Sequence, residues 1–364
     1  HGTPAGLTPI LARIFGLTTD EGQPTQAKLF SFLPLSHMAE RGMVEMTALY
    51  SNAPISFSAG LESFNQEIQE VQPTFFFAVP RLWHKFKSAI ESKLGHLDPE
   101  RLPDAHKAMI RQQLGLAEAH FIISASAPIP TLVQKWFLAL GIVLREAYGM
   151  TETFSSGCCW YKDNLPEAGS VGTAHEGAEI KLSEEGEVLM RSKGMMTGYY
   201  KNPQLTAEVL TDGWFHTGDL GQLDSAGNLR ITGRVGSIFK NSKGKFVNPE
   251  KVEKHFQKIK EFEQLVLIGE GLELPILVAT LSEQAREESI ERLQTQITTE
   301  LDEINSNLAA EERVSKIIVV PEDWNIDNGF LTPTLKLKRK KVATHYHPAV
   351  SSAGKDEKVI FLGR

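Results

Sequence analysis

"AKLFSFLPL" (27–35) and "PTFFFAVP" (73–80) are dense apolar runs bounded by prolines, and they read as buried strands. The stretches between such runs have helical spacing. Leu82, Phe86, Ile90 and Leu94 share one face of "RLWHKFKSAIESKL" (81–94). "AHFIISASAP" (119–128) is a strand ending in small residues, and "TLVQKWFLALG" (131–141) is a helix that stops at Gly141. Strands and helices alternating at this length predict an α/β sheet with helices packed on it. With 364 residues the chain exceeds one ordinary core, so it should be multi-domain. Residues 178–234 change texture to short alternating strands with glycine turns, as in a small β-barrel attached to the large sheet domain. A third texture follows Arg234. Asn248 caps a helix with Pro249 at its first position, "QLVLIGE" (264–270) and "PILVATL" (275–281) are strands, a long charged helix covers about 283–308, and "SKIIVV" (315–320) is a last strand. The expected division is a large domain over 1–234 and a small α+β domain over 235–364.

Charge and cysteine usage narrow the function classes. The net charge is −7 and the pI about 5.9, which argues against a nucleic-acid partner, since such affinity comes mostly from neutralising phosphates. The only cysteines, Cys158 and Cys159, are adjacent and poorly placed to bridge each other, which points to a reducing, cytoplasmic compartment. No apolar stretch approaches the ~20 residues of a membrane span. The N-terminus lacks the basic-then-apolar layout of a secretion signal.

Function concentrates in "REAYGMTETFSSG" (145–157), which follows the apolar run Gly141–Leu144 directly. Open α/β sheets bind ligands outside the carboxyl ends of their strands. Each residue type there suits a nucleotide. Tyr148 offers a flat face to a base, Gly149 admits close backbone approach, Thr151 can donate to a phosphate oxygen, and Glu152 is a hard oxygen ligand for Mg²⁺. A polar surface turn would have the same composition.

"YGMTET" resembles the corresponding signature of the adenylate-forming enzymes, which include acyl-CoA synthetases, luciferases and peptide-synthetase adenylation domains. Further segments resemble that family in its own order: "SASAPIP" (124–130), "GSVGTAHEGAEIKL" (169–182), "GEVLMRSKGMMTGYYKNPQLTAEVLTDGWFHTGDLG" (186–221), "GRVGSIFKNSKGKFVNPEKVE" (233–253) and "LTPTLKLKR" (331–339). "FLPLSHMAER", "VQPTFFFAVPRLWHKF" and "LTPTLKLKR" resemble the long-chain fatty acyl-CoA synthetases in particular. The resemblance implies a ligase that joins a long-chain fatty acid to ATP as acyl-AMP and passes it to coenzyme A, with Mg²⁺ as metal. It places Ser126, Ala127 and Pro128 with Tyr148, Gly149, Met150 and Thr151 around the adenylate, and Glu152 on the metal. Asp219, in "HTGDLG", and Arg234 fall to the ribose. Lys240 falls to the phosphates or is a solvated loop lysine. His37 lines the passage from the acyl pocket or is a structural histidine. Phe75, Phe76 and Phe77 line an acyl tunnel or pack the core. Lys336 is the catalytic lysine, on a small domain that rotates about a hinge at Gly236 between the half-reactions. Lys338, Arg339, Lys340 and Lys341 read as a solvated basic helix start, or as a patch within 336–341 for peripheral contact with an anionic membrane surface.

The family's Gly/Ser/Thr-rich phosphate loop has no complete counterpart. "GTPAG" (2–6) resembles its tail, with Ala5 where lysine is usual. The expectation is therefore the C-terminal two-thirds of a synthetase, whose activity must be judged apart from the parent's. Two other readings stand beside it: an acyl-AMP ligase loading a carrier protein, and an adenylate-binding module without turnover.

Overall fold

The computed structural model describes residues 2–60, 62–95, 98–161, 164–332, 336–352 and 357–363. The chain divides into two units. The first runs to Thr217 and resumes over Gly221–Ile231; the second takes Gly218–Leu220 and everything from Thr232. The break falls slightly before Arg234 for a local reason. Asn248 Nδ2 donates to the Thr232 carbonyl at 3.0 Å. Gly233 packs under the same side chain, where a Cβ would stand 2.5 Å from Nδ2.

The first unit opens with α1 (Gly2–Ile14), so the "GTPAG" segment is helical. Then follow β1 (Leu29–Ser31), a π-helical turn over Glu40–Met46, α2 (Thr47–Ser51), β2 (Ile55–Phe57), α3 (Phe64–Val71), β3 (Phe75–Ala78), α4 (Pro80–Leu94), α5 (Asp104–Gln113), β4 (Phe121–Ser124), α6 (Thr131–Ala139) and β5 (Leu144–Glu146). The five strands form one parallel sheet in the order β2-β1-β3-β4-β5. Parallel sheets are covered on both faces, which is why β3 is apolar at every position. Phe75 and Phe77 face Leu7, Leu11 and Phe15, with the Phe15 and Phe75 rings stacked at 4.4 Å. Phe76 faces the other way, among Trp83, Phe86, Val133 and Phe137. All three phenylalanines therefore pack the core, and burying each contributes roughly 1.5–3 kcal/mol. β1 is shorter than the 27–35 run suggests, because the chain leaves the sheet before Pro34. α6 ends as its glycine predicts: Gly141 is left-handed (φ +79°), and the Ile142 amide reaches back to the Phe137 carbonyl at 2.9 Å.

A β-rich region follows. β6 (Tyr148–Gly149), β7 (Gly157–Cys159) and β8 (Thr173–Ala174) form a small antiparallel sheet. β9 (Ala178–Leu182), β10 (Glu187–Ser192), α7 (Pro203–Val209), β11 (Leu210–Thr211), β12 (Trp214–Leu223) and β13 (Leu229–Arg234) come next, their strands ordered β11-β12-β10-β9 with β13 on β12. The two sheets share one small core of Cys158, Val171, Val188, Met190 and Leu229. Alternation along β7 sends Cys158 into this core and Cys159 into the core beneath α1.

The second unit carries the hairpin β14 (Phe239–Lys240) and β15 (Phe246–Val247), then α8 (Pro249–Phe256), β16 (Phe262–Ile268), β17 (Ile276–Leu281), α9 (Ile290–Ser306), β18 (Lys316–Val320), α10 (Arg339–Ser352) and β19 (Val359–Phe361). Its mixed sheet has the order β16-β17-β18-β19. α8 and α9 cover one face through Val252, Phe256, Leu293, Ile297 and Leu301. Trp324, Phe330, Leu331, Val342 and Tyr346 cover the other. Asn248 caps α8 as expected, accepting from the Lys251 amide at 3.3 Å with Pro249 at the first position. The long helix expected over 283–308 is instead a 3₁₀ turn at Gln284–Glu287 followed by α9. Extended Ser289 interrupts it and caps the new helix. Among the described residues no helix is long and apolar enough to cross a membrane.

Candidate active site

Two loops meet at the carboxyl ends of β4 and β5. The Ala147 amide donates to the Ser124 carbonyl at 2.9 Å, and the Ile129 amide to Glu146 Oε1 at 3.4 Å. These bonds place Ser126, Ala127 and Pro128 beside Tyr148–Thr151. Ser126 is left-handed (φ +74°), while Ala127 and Pro128 are exposed. Tyr148 is half-buried, its ring against the small core.

From Tyr148 the chain makes a tight turn. Met150 is extended, and Thr151–Thr153 form one 3₁₀ turn with Thr151 exposed. Phe154 and Ser155 are both left-handed (φ +56° and +58°), an uncommon conformation for residues other than glycine. Hydrogen bonds hold it. The Thr153 hydroxyl donates to the Ser156 carbonyl at 2.6 Å, and the Ser155 amide to the Met150 carbonyl at 2.9 Å. The turn closes so tightly that a Cβ on Gly149 would lie 2.7 Å from the Ser155 carbonyl oxygen, and one on Gly157 2.2 Å from that of Tyr148.

His175 secures the far side. Its Nε2 accepts from the Gly157 amide at 3.0 Å and contacts the Ser156 hydroxyl at 2.9 Å. An amide only donates, so Nε2 is unprotonated and the proton sits on Nδ1, which donates to the Glu176 carbonyl at 2.8 Å. Burial pushes the His175 pKa down to about 4, so the ring is neutral under ordinary conditions.

Glu152 is half-buried, and its Oε1 accepts from the Tyr199 hydroxyl at 2.9 Å. Burial first, then this hydrogen bond and the carboxylate charge, push the Tyr199 pKa up to about 12. The phenol is a neutral partner, so it orients Glu152 without cancelling its charge. A half-buried carboxylate held by a neutral phenol fits Mg²⁺, which binds through one or two carboxylates plus substrate phosphates. Among the described residues no cluster of three or more His, Cys, Asp or Glu side chains offers a dedicated metal cage.

His37 is half-buried, and its Nδ1 accepts from the Ala39 amide at 3.3 Å at the entrance to the π-helical turn. That contact gives the ring a local capping role.

The second unit holds the remaining candidates. Asp219, buried in β12, pairs with exposed Arg234, with Nε 2.7 Å from Oδ1. Gly218 before it is left-handed (φ +71°). Lys240 stands over the exposed Phe246 ring at 4.8 Å. Gly236 lies in a 3₁₀ turn over Val235–Ser237, and a Cβ there would meet nothing within 4 Å. Lys336 is exposed. Its carbonyl accepts from the Thr332 amide at 2.8 Å and its amide donates to Thr332 Oγ1 at 3.0 Å; Pro333, Thr334 and Leu335 of the same motif lie outside the described residues.

The basic run is not uniformly solvated. Arg339 turns inward and clamps buried Glu253 with two nitrogens. Lys341 donates to the Asn328 carbonyl at 2.8 Å and lies over the Phe330 ring at 5.1 Å. Reading charges along the chain missed the inward turn of Arg339, because its partner is 86 residues away, whereas Lys341 stays exposed in the first turn of the last helix. His175 and Tyr199 also escaped sequence reasoning, although both sit inside quoted motifs. Nothing local to either announces a partner across a turn.

Open α/β sheets bind ligands outside the carboxyl ends of their strands, and the parallel sheet here ends in an acid- and hydroxyl-bearing turn at that place. The chain belongs to the AMP-binding enzyme family: that family's model matches residues 8–200, and the model of the AMP-binding enzyme C-terminal domain matches 237–358. Similar proteins include the human long-chain-fatty-acid–CoA ligase 1, 30% identical over 88% of this chain and 54% of its own length. The Mycobacterium bovis long-chain-fatty-acid–CoA ligase FadD15 is 27% identical over 88% of this chain and 61% of its own. The chain thus spans little more than half the length of these relatives. Among solved structures, an ATP-bound RpMatB-BxBclM chimera covers 98% of the chain and 65% of its own length at TM-score 0.75 and 20% identity. The adenylation domain of a Segniliparus rugosus carboxylic acid reductase covers 94% of the chain and 58% of its own at TM-score 0.73 and 23% identity. These likenesses establish the fold.

Proposed function

We propose that the protein carrying this chain is an ATP-dependent long-chain fatty acid–CoA ligase, forming acyl-AMP and then the thioester. The observation that carries the reading is the match to long-chain-fatty-acid–CoA ligases over 88–91% of the chain. The geometry of the turn after β5 agrees with it.

The chemistry brings two anions together, a carboxylate and the α-phosphate, so the protein must supply compensating charge. Glu152 would hold Mg²⁺, which neutralises phosphate charge when bound. Ser126–Pro128 and Tyr148–Thr151 enclose the base and the α-phosphate, with Tyr148 offering a ring face and Thr151 a hydroxyl. Asp219 accepts from the ribose hydroxyls, and its pairing with Arg234 keeps the carboxylate oriented. Lys336 supplies a compact positive charge between fatty carboxylate and phosphate in the first half-reaction. It is withdrawn in the second, when the unit carrying it turns about Gly236 and the CoA thiol attacks the acyl carbonyl.

The test is Lys336→Ala in the full-length protein. Adenylate formation should fall about 10²–10³-fold, by analogy with loss of one preorganised charge or donor. Thioester formation from supplied acyl-adenylate should hold within about threefold. Lys338→Ala should do little to either. Equal loss in both half-reactions would remove Lys336 from the chemistry, and palmitate failing to support pyrophosphate exchange in the wild type would remove the substrate class.

A further inference from the structure

We infer that Arg339 is a positioning residue for Lys336, setting the lysine through a buried carboxylate clamp on α8. The inference rests on the catalytic reading of Lys336 given above.

Glu253 is 3% exposed, on the inner side of α8. Its Oε1 accepts from the Leu267 amide at 2.7 Å and from Arg339 Nη1 at 2.5 Å; its Oε2 accepts from Arg339 Nη2. The third guanidinium nitrogen, Nε, lies 3.5 Å from Glu250 Oε1, one turn earlier on the same helix. Every nitrogen of the fork thus faces a carboxylate. Burial works against the charged guanidinium, but its hydrogen bonds to Glu253 and both carboxylate charges outweigh it and raise the Arg339 pKa. Such a pair fixes a direction as well as a distance, because the planar fork accepts only one approach.

What the clamp fixes is the exit of the segment carrying Lys336. Arg339 is the first residue of α10. The Lys338 amide donates to the Phe330 carbonyl at 2.8 Å, Leu337 pairs with Leu331 in an isolated antiparallel bridge, and Lys336 is bonded to Thr332 through both backbone groups. From the guanidinium to the lysine there is no unconstrained backbone step. α8 is in turn fixed at its start by the Asn248 cap, whose amide group holds the Thr232 carbonyl. The lysine is therefore referenced to α8, not only to the apolar contacts of Phe330 and Leu331.

A purely structural ion pair would affect folding or both half-reactions alike; a positioning residue acts through the lysine alone. The variants are Arg339→Lys, which keeps a charge for Glu253 but loses the fork, Lys336→Ala, and the two combined, all in the full-length protein. Arg339→Lys should lower adenylate formation about 10- to 100-fold, the scale on which a misplacement of about 1 Å acts. It should leave thioester formation from supplied acyl-adenylate within about twofold. The combined variant should be no slower in adenylation than Lys336→Ala, since nothing remains to be positioned. Additive losses, or equal losses in both half-reactions while Lys336→Ala stays selective, overturn the positioning role. A Lys336→Ala that is itself unselective overturns the catalytic reading instead, so the two failures are distinguishable. Should Arg339→Lys not fold, Glu250→Gln decides. It spares the bidentate pair and removes only the charge at Nε, with about a two- to fivefold selective loss expected and none overturning the proposal.

Discussion

The turn that carries Glu152 and the segment that carries Lys336 are held by opposite means. The turn is framed by neutral groups: the Thr153 hydroxyl, the His175 ring, the Tyr199 phenol, and backbone contacts at Gly149 and Gly157 too close for a Cβ. The lysine segment is framed by a buried ion pair that reaches it from one side, and the lysine itself is exposed. The neutral frame is close-packed where the turn closes, with no room for a Cβ at Gly149 or Gly157. A clamp at one end of the lysine segment fixes a direction. The difference is between a frame of neutral close contacts and one anchored by paired charges.

The comparison breaks most severely at Gly157. Alanine there would drive a Cβ against the Tyr148 carbonyl oxygen and the Met190 methyl. The expected cost is about 3 kcal/mol or more, the upper range for overpacking. Denaturant unfolding measures it, and a loss under about 1 kcal/mol would mean that the frame has slack after all.

Protonation attacks the same frame. The folded pKa of His175 is about 4, and the unfolded chain's histidine titrates near 6.5. Its contribution is therefore fully present above pH 6.5 and is lost as the pH falls toward 4, because the unfolded chain takes up a proton the buried ring refuses. That amounts to roughly 3 kcal/mol, from about 2.5 pKa units at about 1.36 kcal/mol each. His175→Gln, which cannot titrate, should flatten the slope across this window even if it lowers stability overall. An identical slope in wild type and variant would show that other groups carry it.

The smallest effect sharpens the comparison between held regions and the linker. A side chain at Gly236 points into open space, so Gly236→Ala should change stability by no more than about 0.5 kcal/mol. If residue 236 is the hinge, the same variant should slow the thioester half-reaction a few-fold while leaving adenylation near its normal rate. Unaltered rates for both would move the hinge elsewhere.

The large sheet was legible because β3 and β4 are apolar at consecutive positions, a pattern that only two covered faces accommodate. The α8 start was legible because Asn248-Pro249 encodes its cap locally. The chain order strand, small-residue loop, strand, acid-bearing turn located the region around Glu152. What could not be read are pairings across sequence. Glu253 and Arg339 look like members of an acidic–basic surface helix and a basic tail until the fold buries one against the other. The false continuity of 283–308 has a related origin: unbroken charge hides a serine that must be extended to cap α9. Composition records which groups are present; it does not record which of them water still reaches.

β7 places its two thiols in different interiors, Cys158 among the β-rich strands and Cys159 beneath α1. Burial pushes the Cys159 thiol up to about 12 and raises that of Cys158 as well. Only a thiolate alkylates readily, so neither sulfur reacts until its surroundings part. The strand therefore carries two clocks side by side. The rate at which each sulfur is modified under native conditions reads how often one interior breathes independently of its neighbour.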